Sequence, residues 1–293
     1  MAAPSPHVIA LIGPNPPRTM RPWLRREHGL RWWPRQDAED EPAFETIESV
    51  NGEASLAEQP CRFQARYGER WIELIIEYEG RWRFLLDAGG RSIRLLDGDW
   101  PPATVVLGPP LLLAQALAGR FCLHASAIAG ANAQAWLFSA ASGTGKSTLA
   151  AAATTIGWQR LCDDLAPLWL SGADVMPWLL PRIPQLKLGA SAAAPPPAVR
   201  CAALVQLARG SETDWSVLPD AERLPLLLGG TVASRLFDQR LAARHLDWAS
   251  RLASRQGGLA LWRLTLAESQ ADPVSVALDA LRALPEATLC DVG

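Results

Sequence analysis

The stretch FSAASGTGKSTLAAAATTIGWQRLCDD, residues 138–164, decides the fold class. Within it, residues 140–147 read Ala-Ala-Ser-Gly-Thr-Gly-Lys-Ser, which is the phosphate-binding pattern G-x-x-x-x-G-K-[ST] with Ala140 in place of the first glycine. An apolar run from Ala135 to Ser139 precedes the loop, and an alanine-rich run from Lys146 follows it, so the spacing predicts strand, loop and helix in succession. In such a unit Ser142, Gly143, Thr144, Gly145, Lys146, Ser147 and Thr148 cradle a nucleotide: loop amides turn inward, Lys146 reaches the β- and γ-phosphates, and Ser147 ligates Mg²⁺. The dipole of the helix that begins there favours an anion. Ala140 is tolerated if its φ is negative and costs stability if φ must be positive. Gly157 is the expected helix stop.

The quoted stretch ends on Asp163-Asp164, within 18 residues of Lys146. A strand that returns parallel to the one before the loop brings its carboxyl end to the same edge of the sheet, so both carboxylates are expected to face the phosphates, with the helix feeding straight into the adjacent strand. At a strand end one carboxylate can hold Mg²⁺ while the other takes the proton of an acceptor hydroxyl. An ABC-type L-S-G-G-Q signature and a GTPase N-K-x-D are both absent from the sequence, and the latter has no room to exist because Lys146 and Lys187 are the only two lysines. The other 26 basic residues are arginine, so a position that remains lysine can need a compact ammonium rather than a planar fork.

Outward from the loop, Leu111–Arg120 reads as a buried helix and Cys122–Gly130 as a strand, with further strands at 158–164, 165–170, 175–181 and 202–209. A helical period runs over 235–255, followed by a strand at 258–266 and a closing helix at 273–284. Mixed strands and helices imply an α/β domain. Before it, residues 60–98 alternate apolar and polar between glycine-containing turns, as in a small antiparallel sheet, and WPPATVVLGPP marks a boundary near 105. Residues 1 to about 40, rich in Pro, Arg and Trp, show no sustained period and read as an irregular lead-in. The organisation is therefore residues 1–105, a lead-in plus a small β-rich docking module, and 106–293, the catalytic domain.

A net charge of −2 gives no sequence-wide reason to bind nucleic acid or an anionic membrane. Five scattered cysteines without a C-x-x-C pair indicate neither a metal knuckle nor a redox motif. No apolar run is long enough to span a bilayer and no basic region precedes the first apolar segment, so the expected location is the cytoplasm.

The segment LHASAIAGANAQAWLFSAASGTGKSTLAAAATTIGWQRLCDDLAPL resembles the catalytic domain of HPr kinase/phosphorylase and of the HPr-kinase-related proteins, through a histidine upstream of the loop, the loop itself and a G-[WH]-x-x-L-x-D-D ending. The likeness continues more weakly through LLPRIPQLKL and ALWRLTL and leaves the first hundred or so residues outside. It implies a P-loop kinase domain of the HPr kinase and phosphoenolpyruvate carboxykinase type, ATP as donor, Mg²⁺, and transfer to a Ser/Thr hydroxyl of a protein or peptide. The resemblance makes Asp163 the general base, Asp164 and Ser147 the metal ligands, and His124 a neighbour that orients or tunes the base. A homo-oligomer is a further expectation from it. Where that family has Glu-Ile-Arg, this chain has Gln185-Leu186-Lys187, so Lys187 is expected to contact the migrating phosphoryl group or a product. Arg182, Arg235 and Arg263 are further candidates for phosphate or acceptor contacts. Two alternatives stay open: a small-molecule or carbohydrate kinase, and a catalytically silent nucleotide-binding regulator or assembly factor.

Overall fold

The computed structural model describes residues 8–21, 30–35, 44–56, 59–97, 99–130, 133–141, 143–170, 176–183, 196–254, 259–268 and 272–284. Ser142, Gln185 and Lys187 lie outside the described residues.

Seven strands come first: β1 (Ile9–Gly13), β2 (Leu30–Pro34), β3 (Glu48–Leu56), β4 (Gln59–Tyr67), β5 (Trp71–Glu77), β6 (Arg81–Asp87) and β7 (Ser92–Leu95). They form one sheet in the order β2-β1-β7-β6-β5-β4-β3. From β3 to β7 it is an antiparallel meander, as the alternation Cys61, Phe63, Ala65 and Tyr67 inward against Arg62, Gln64 and Arg66 requires. The reading of residues 1–40 as irregular needs correction. β1 lies parallel between β2 and β7, with Ile9 and Leu11 fully buried. Five residues are too few to display a period, which is why the sequence hides them.

Two short helices follow, α1 (Ala103–Val106) and α2 (Pro109–Leu117). Pro109 at the first helical position suits the start of α2, and residues Pro110 to Ala116 are all buried because the helix packs between β6 and β7 on one side and the second sheet on the other.

That second sheet contains β8 (Arg120–Ala129), β9 (Ala135–Ser139), β10 (Gln159–Cys162), β11 (Leu165–Trp169), β12 (Trp178–Leu179), β13 (Val199–Gly210), β14 (Asp214–Val217) and β15 (Ala260–Ala267). β9 runs parallel to β13, which runs parallel to β15, and β14 closes that edge antiparallel. β8 is antiparallel to β9, and along its other edge it pairs with β10 through its second half and with β11 through its first. Helix α3 (Lys146–Thr155) follows the loop after β9, and α4 (Asp220–Gly230), a 3₁₀ turn at Ser234–Leu236, α5 (Gln239–Ala253) and α6 (Pro273–Arg282) complete the chain. Ile128, Trp136 and Phe138 pack against Leu149, Ala150, Ala152 and Ala153 of α3 and against Ala277, Ala280 and Leu281 of α6. The small residues of α3 let it lie close to the sheet. Gly157, at φ +84°, ends α3: its N–H donates to the Thr154 carbonyl and the Trp158 N–H to the Ala153 carbonyl, a Schellman stop.

The molecule is thus mixed α/β with two sheets. One expected detail changes. β10 does run in the same direction as β9, but β8 lies between them, so the chain leaving α3 crosses to the strand beyond the neighbour. Sequence spacing fixes the length of a crossover, and β8, which precedes the loop in the chain, is what fills the gap. β14 and α4 carry no expectation from the sequence; Pro225 and Gly229-Gly230 weaken the helical pattern, and α4 is held by packing against α5 and β8. Among the described residues no helix is long and apolar enough to cross a membrane, and Cys61, Cys122, Cys162 and Cys201 are free thiols.

Candidate functional site

β9 is buried along its whole length and delivers the chain to the 140–147 loop. Gly143 has φ +80° and Gly145 φ +114°, a region that only glycine occupies without strain. Ala140 is not among the residues with positive φ, so its methyl group costs the loop nothing. Lys146 is 7% exposed, and its Nζ donates to the carbonyls of Ala140 at 2.6 Å and Ala141 at 3.3 Å, holding the loop closed around its own ammonium. Thr144 Oγ1 donates to the Ala141 carbonyl at 2.9 Å. Ser147 is exposed and Thr148 half-buried in the first turn of α3, whose leading amides have no acceptor within the helix. Together these groups present positive potential to an anion.

The aspartates meet this loop through the register of β8. Ala125 of β8 pairs with Ser139 on one side, and on the other its N–H donates to the Asp164 carbonyl at 3.2 Å. The Asp163-Asp164 turn and the root of the loop therefore flank the same residue, about 9.5 Å apart at ~4.8 Å per strand step. His124 precedes Ala125 and pairs with Leu165. Its carbonyl accepts from Ser139 Oγ at 3.3 Å, and Gly230, at the end of α4, lies against the same hydroxyl. His124, Ser139, Asp164 and Gly230 thus converge, although they are far apart in the chain.

The two aspartates differ in surroundings. Asp163 is 2% exposed and forms an ion pair with Arg160. Arg160 pairs with Ile128, which packs under α3, so this ion pair lies on the α3 side of the sheet. Asp164 is half-buried and borders a cleft of about 970 Å³. The cleft is walled by His124 and Leu165, by residues 229–236, by α1 and α2, and on the far side by β3 and β4 of the first sheet.

Residues 229–239 tie the two sheets together. The Val232 N–H donates to the Cys122 carbonyl at 2.9 Å, beside His124. Ala233 holds a left-handed φ of +61°, which costs an alanine about 1 kcal/mol and is maintained by its neighbours. Tyr67 of β4 donates its hydroxyl to the Leu236 carbonyl, and Arg235 Nη1 donates to the Glu53 carbonyl of β3 at 2.8 Å. Thr231 Oγ1 donates to the Leu227 carbonyl, which leaves its lone pair to accept from His245 Nε2 at 2.8 Å and so fixes the tautomer of that imidazole. His245 packs among Phe121, Phe237 and Trp248. Burial lowers its pKa from the ordinary 6.5. The unfolded chain then takes up the proton first, so this stability is complete above the unfolded pKa and is lost as pH falls from there towards the folded value. Denaturant midpoints measured from about pH 7.5 down to about pH 5.5 are expected to fall, and His245→Gln should flatten the part of that slope that His245 supplies.

The other candidates are dispersed. Arg263 is engaged with Gln206 at 2.9 Å and with Glu222. Arg182 is half-buried, and Arg235 borders the cleft through the contact already described. Two residues were not singled out from the sequence. One is Arg160, which has no signal beyond its place on a strand ending in Asp-Asp. The other is Arg209, at the carboxyl end of β13. It is exposed, and its guanidinium stands 3.4 Å from where a Cβ on Gly145 would lie. The parallel pairing of β13 with β9 puts it there, and sequence spacing does not reveal that pairing.

A magnesium ion binds through hard oxygens and is usually held by one or two carboxylates together with substrate phosphates. Asp164, half-buried on the cleft wall, and Ser147, exposed at the start of α3, carry oxygens of that kind. Among the described residues no group of three or more His, Cys, Asp or Glu forms a closed metal cage.

No family model matches the chain, and no curated protein matches it. Among solved structures, the Hpr(Ser) kinase/phosphatase from Coxiella burnetii aligns over 55% of this chain and 95% of that one, with 12% identity and a TM-score of 0.27.

Proposed function

We propose that the chain is an ATP-dependent kinase of the HPr-kinase-related type that phosphorylates a Ser or Thr hydroxyl of a protein or peptide. The observation that carries this reading is the convergence at one end of β8. There a glycine-turned loop holds a buried lysine, and beside it lie two adjacent carboxylates, of which Asp164, with His124, borders a cleft large enough for an acceptor. In the proposed reaction the loop amides and Lys146 hold the β- and γ-phosphates. The acceptor oxygen forms a bond to the γ-phosphorus as the bond to the β-bridging oxygen breaks, and the hydroxyl proton passes to an aspartate. Positioning and electrostatics supply most of the rate. Magnesium, held by Ser147 and Asp164, would neutralise charge on the migrating group.

Asp163 takes the base role under the resemblance, with His124 beside it and Lys187 on the phosphoryl group or product. A second assignment exchanges the two aspartates. It is favoured by the place of Asp164 on the cleft wall and by the ion pair that Arg160 forms with Asp163 on the α3 side.

The test is Mg²⁺-dependent transfer from labelled ATP to a panel of Ser-containing peptides, carrier proteins and sugars. Label on peptide or protein supports the reading, and label on sugar moves it to a carbohydrate kinase. ATP binding without transfer to any acceptor would identify a nucleotide-binding regulator. Arg209 is expected to contribute to donor binding: Arg209→Ala should weaken ATP affinity by roughly threefold to tenfold, read by calorimetry, with a smaller effect on ADP if the contact is to the γ-phosphate.

A further inference from the structure

One wall of the cleft beside Asp164 belongs to the part of the chain that the resemblance does not cover. β3 is the last strand of the seven-stranded sheet, and Glu53, Ala54, Ser55 and Leu56 border the cleft in succession. Successive residues of a strand point to opposite faces, so a cleft that touches all four follows the edge of the strand.

Two observations fix how that edge is turned. Ser55 pairs with Pro60 of β4, and proline has no N–H to give to the ladder. The Ser55–Pro60 pair is therefore a non-hydrogen-bonded one, and Ser55 directs its own N–H and C=O away from β4. By alternation Glu53 and Asn51 face the same way. The Glu53 carbonyl bears this out, because it accepts from Arg235, which approaches from outside the sheet. The edge therefore offers the N–H and C=O of Ser55 and the N–H of Glu53 to the cleft, and among the described residues no strand pairs with them.

We infer that the acceptor is an extended peptide segment that adds to the free edge of β3 and carries its Ser or Thr hydroxyl along the cleft to Asp164. The inference rests on the phosphotransfer reading and specifies its substrate class. An unpaired strand edge recognises backbone amides, which a sugar does not have, and main-chain pairing with alternate side chains in pockets is a general mode of peptide recognition. The remaining lining favours the same occupant: Leu56, Phe63, Leu107, Leu112 and Leu165 give apolar contact for side chains on one face of the added strand. Ser55, His124 and Asp164 border one and the same cleft, so a peptide held at the edge shares its space with the proposed chemistry.

The experiment uses the full chain and a degenerate library of acetylated nonapeptides with a fixed central Ser, read by fluorescence anisotropy and by label transfer from ATP. Ser55→Pro removes the outward N–H without costing a ladder bond, because the pair with Pro60 contributes none at that position, and Ser55→Ala controls for the side chain. Ser55→Pro is expected to weaken peptide binding about fivefold, with Ser55→Ala and the ATP affinity unchanged. As a check independent of how the variant folds, selected peptides N-methylated at alternate amides should lose binding in one register and retain it in the other. Peptide binding indifferent to both changes would overturn the inference, and so would failure of the library to bind while ATP binds or is turned over. Register-dependent peptide binding without label transfer would instead sink the phosphotransfer reading and leave the edge site standing.

Discussion

Lys146→Ala is expected to lower ATP affinity by roughly 10- to 100-fold, the range for losing hydrogen bonds to a charged group, and to remove detectable transfer at ordinary ATP concentrations. Lys146 is buried at the root of α3 and already donates to the Ala140 and Ala141 carbonyls, so its ammonium is in place before a phosphate arrives. An anion entering the loop competes with two neutral carbonyls for it, and the charged acceptor wins because the negative charge of a phosphate oxygen adds a Coulomb attraction that a carbonyl dipole does not supply. Lys146→Arg should not restore binding. A planar fork needs more room than a 7% exposed site leaves, and it would point its donors in fixed directions. Calorimetric titration with ATP·Mg²⁺ checks both variants, and thermal melts establish that they fold. Unchanged affinity in Lys146→Ala would mean that nucleotide does not use this loop.

That loop was the most legible part of the chain. Its glycines, lysine and hydroxyl are contiguous, so periodicity and a local pattern suffice, and the structure answers the doubt about Ala140 through the sign of one φ angle. Gly157 was legible for the same reason, since a helix stop is written in adjacent residues. The direction of β10 also followed from spacing, but its neighbour did not. Nothing local in QRLC says whether it will pair with β9 or reach over β8, because strand pairing is decided by which apolar faces are already covered. The same holds for Arg209, which the pairing of β13 with β9 brings to Gly145 from 64 residues away. Of residues 229–236 only Arg235 and Leu236 fall in the helical period legible in the sequence, and 229–234 carry no signal. Their place between β3 and His124 depends on Ala233 accepting a left-handed φ and on Arg235 and Tyr67 crossing between sheets. Such contacts have no sequence period. The strands of residues 1–40 were missed because each is five residues long, shorter than the window in which alternation can be distinguished from chance.

Asp163→Asn is expected to reduce acceptor-dependent transfer by about 10²- to 10⁴-fold if Asp163 is the base, the usual range for general-base catalysis, with little change in ATP affinity. Asparagine keeps the volume, but the change also leaves Arg160 without its partner. Breaking a buried pair from one side costs up to about 3–5 kcal/mol, and since the Arg160 side chain is 25% exposed water recovers part of that. Lost activity could then reflect a displaced strand end rather than a missing base. The double variant Arg160→Gln with Asp163→Asn separates these causes: two amides can hydrogen-bond across the former ion pair, so stability should return, whereas transfer should not. Asp164→Asn tests the other assignment. As a metal ligand its loss should raise the Mg²⁺ concentration needed for half-maximal rate, with rate recovering at saturation. As the base its loss should depress the rate at every Mg²⁺ concentration, and Asp163→Asn would then show the magnesium effect instead. The ion pair itself bears on the outcome. A base on the cleft wall can meet a hydroxyl directly, whereas Asp163 reaches one only if acceptor or phosphate draws Arg160 away. A rate deficit in Asp163→Asn together with a gain in ATP·Mg²⁺ affinity in Arg160→Gln would show that Arg160 holds the base until substrate displaces it.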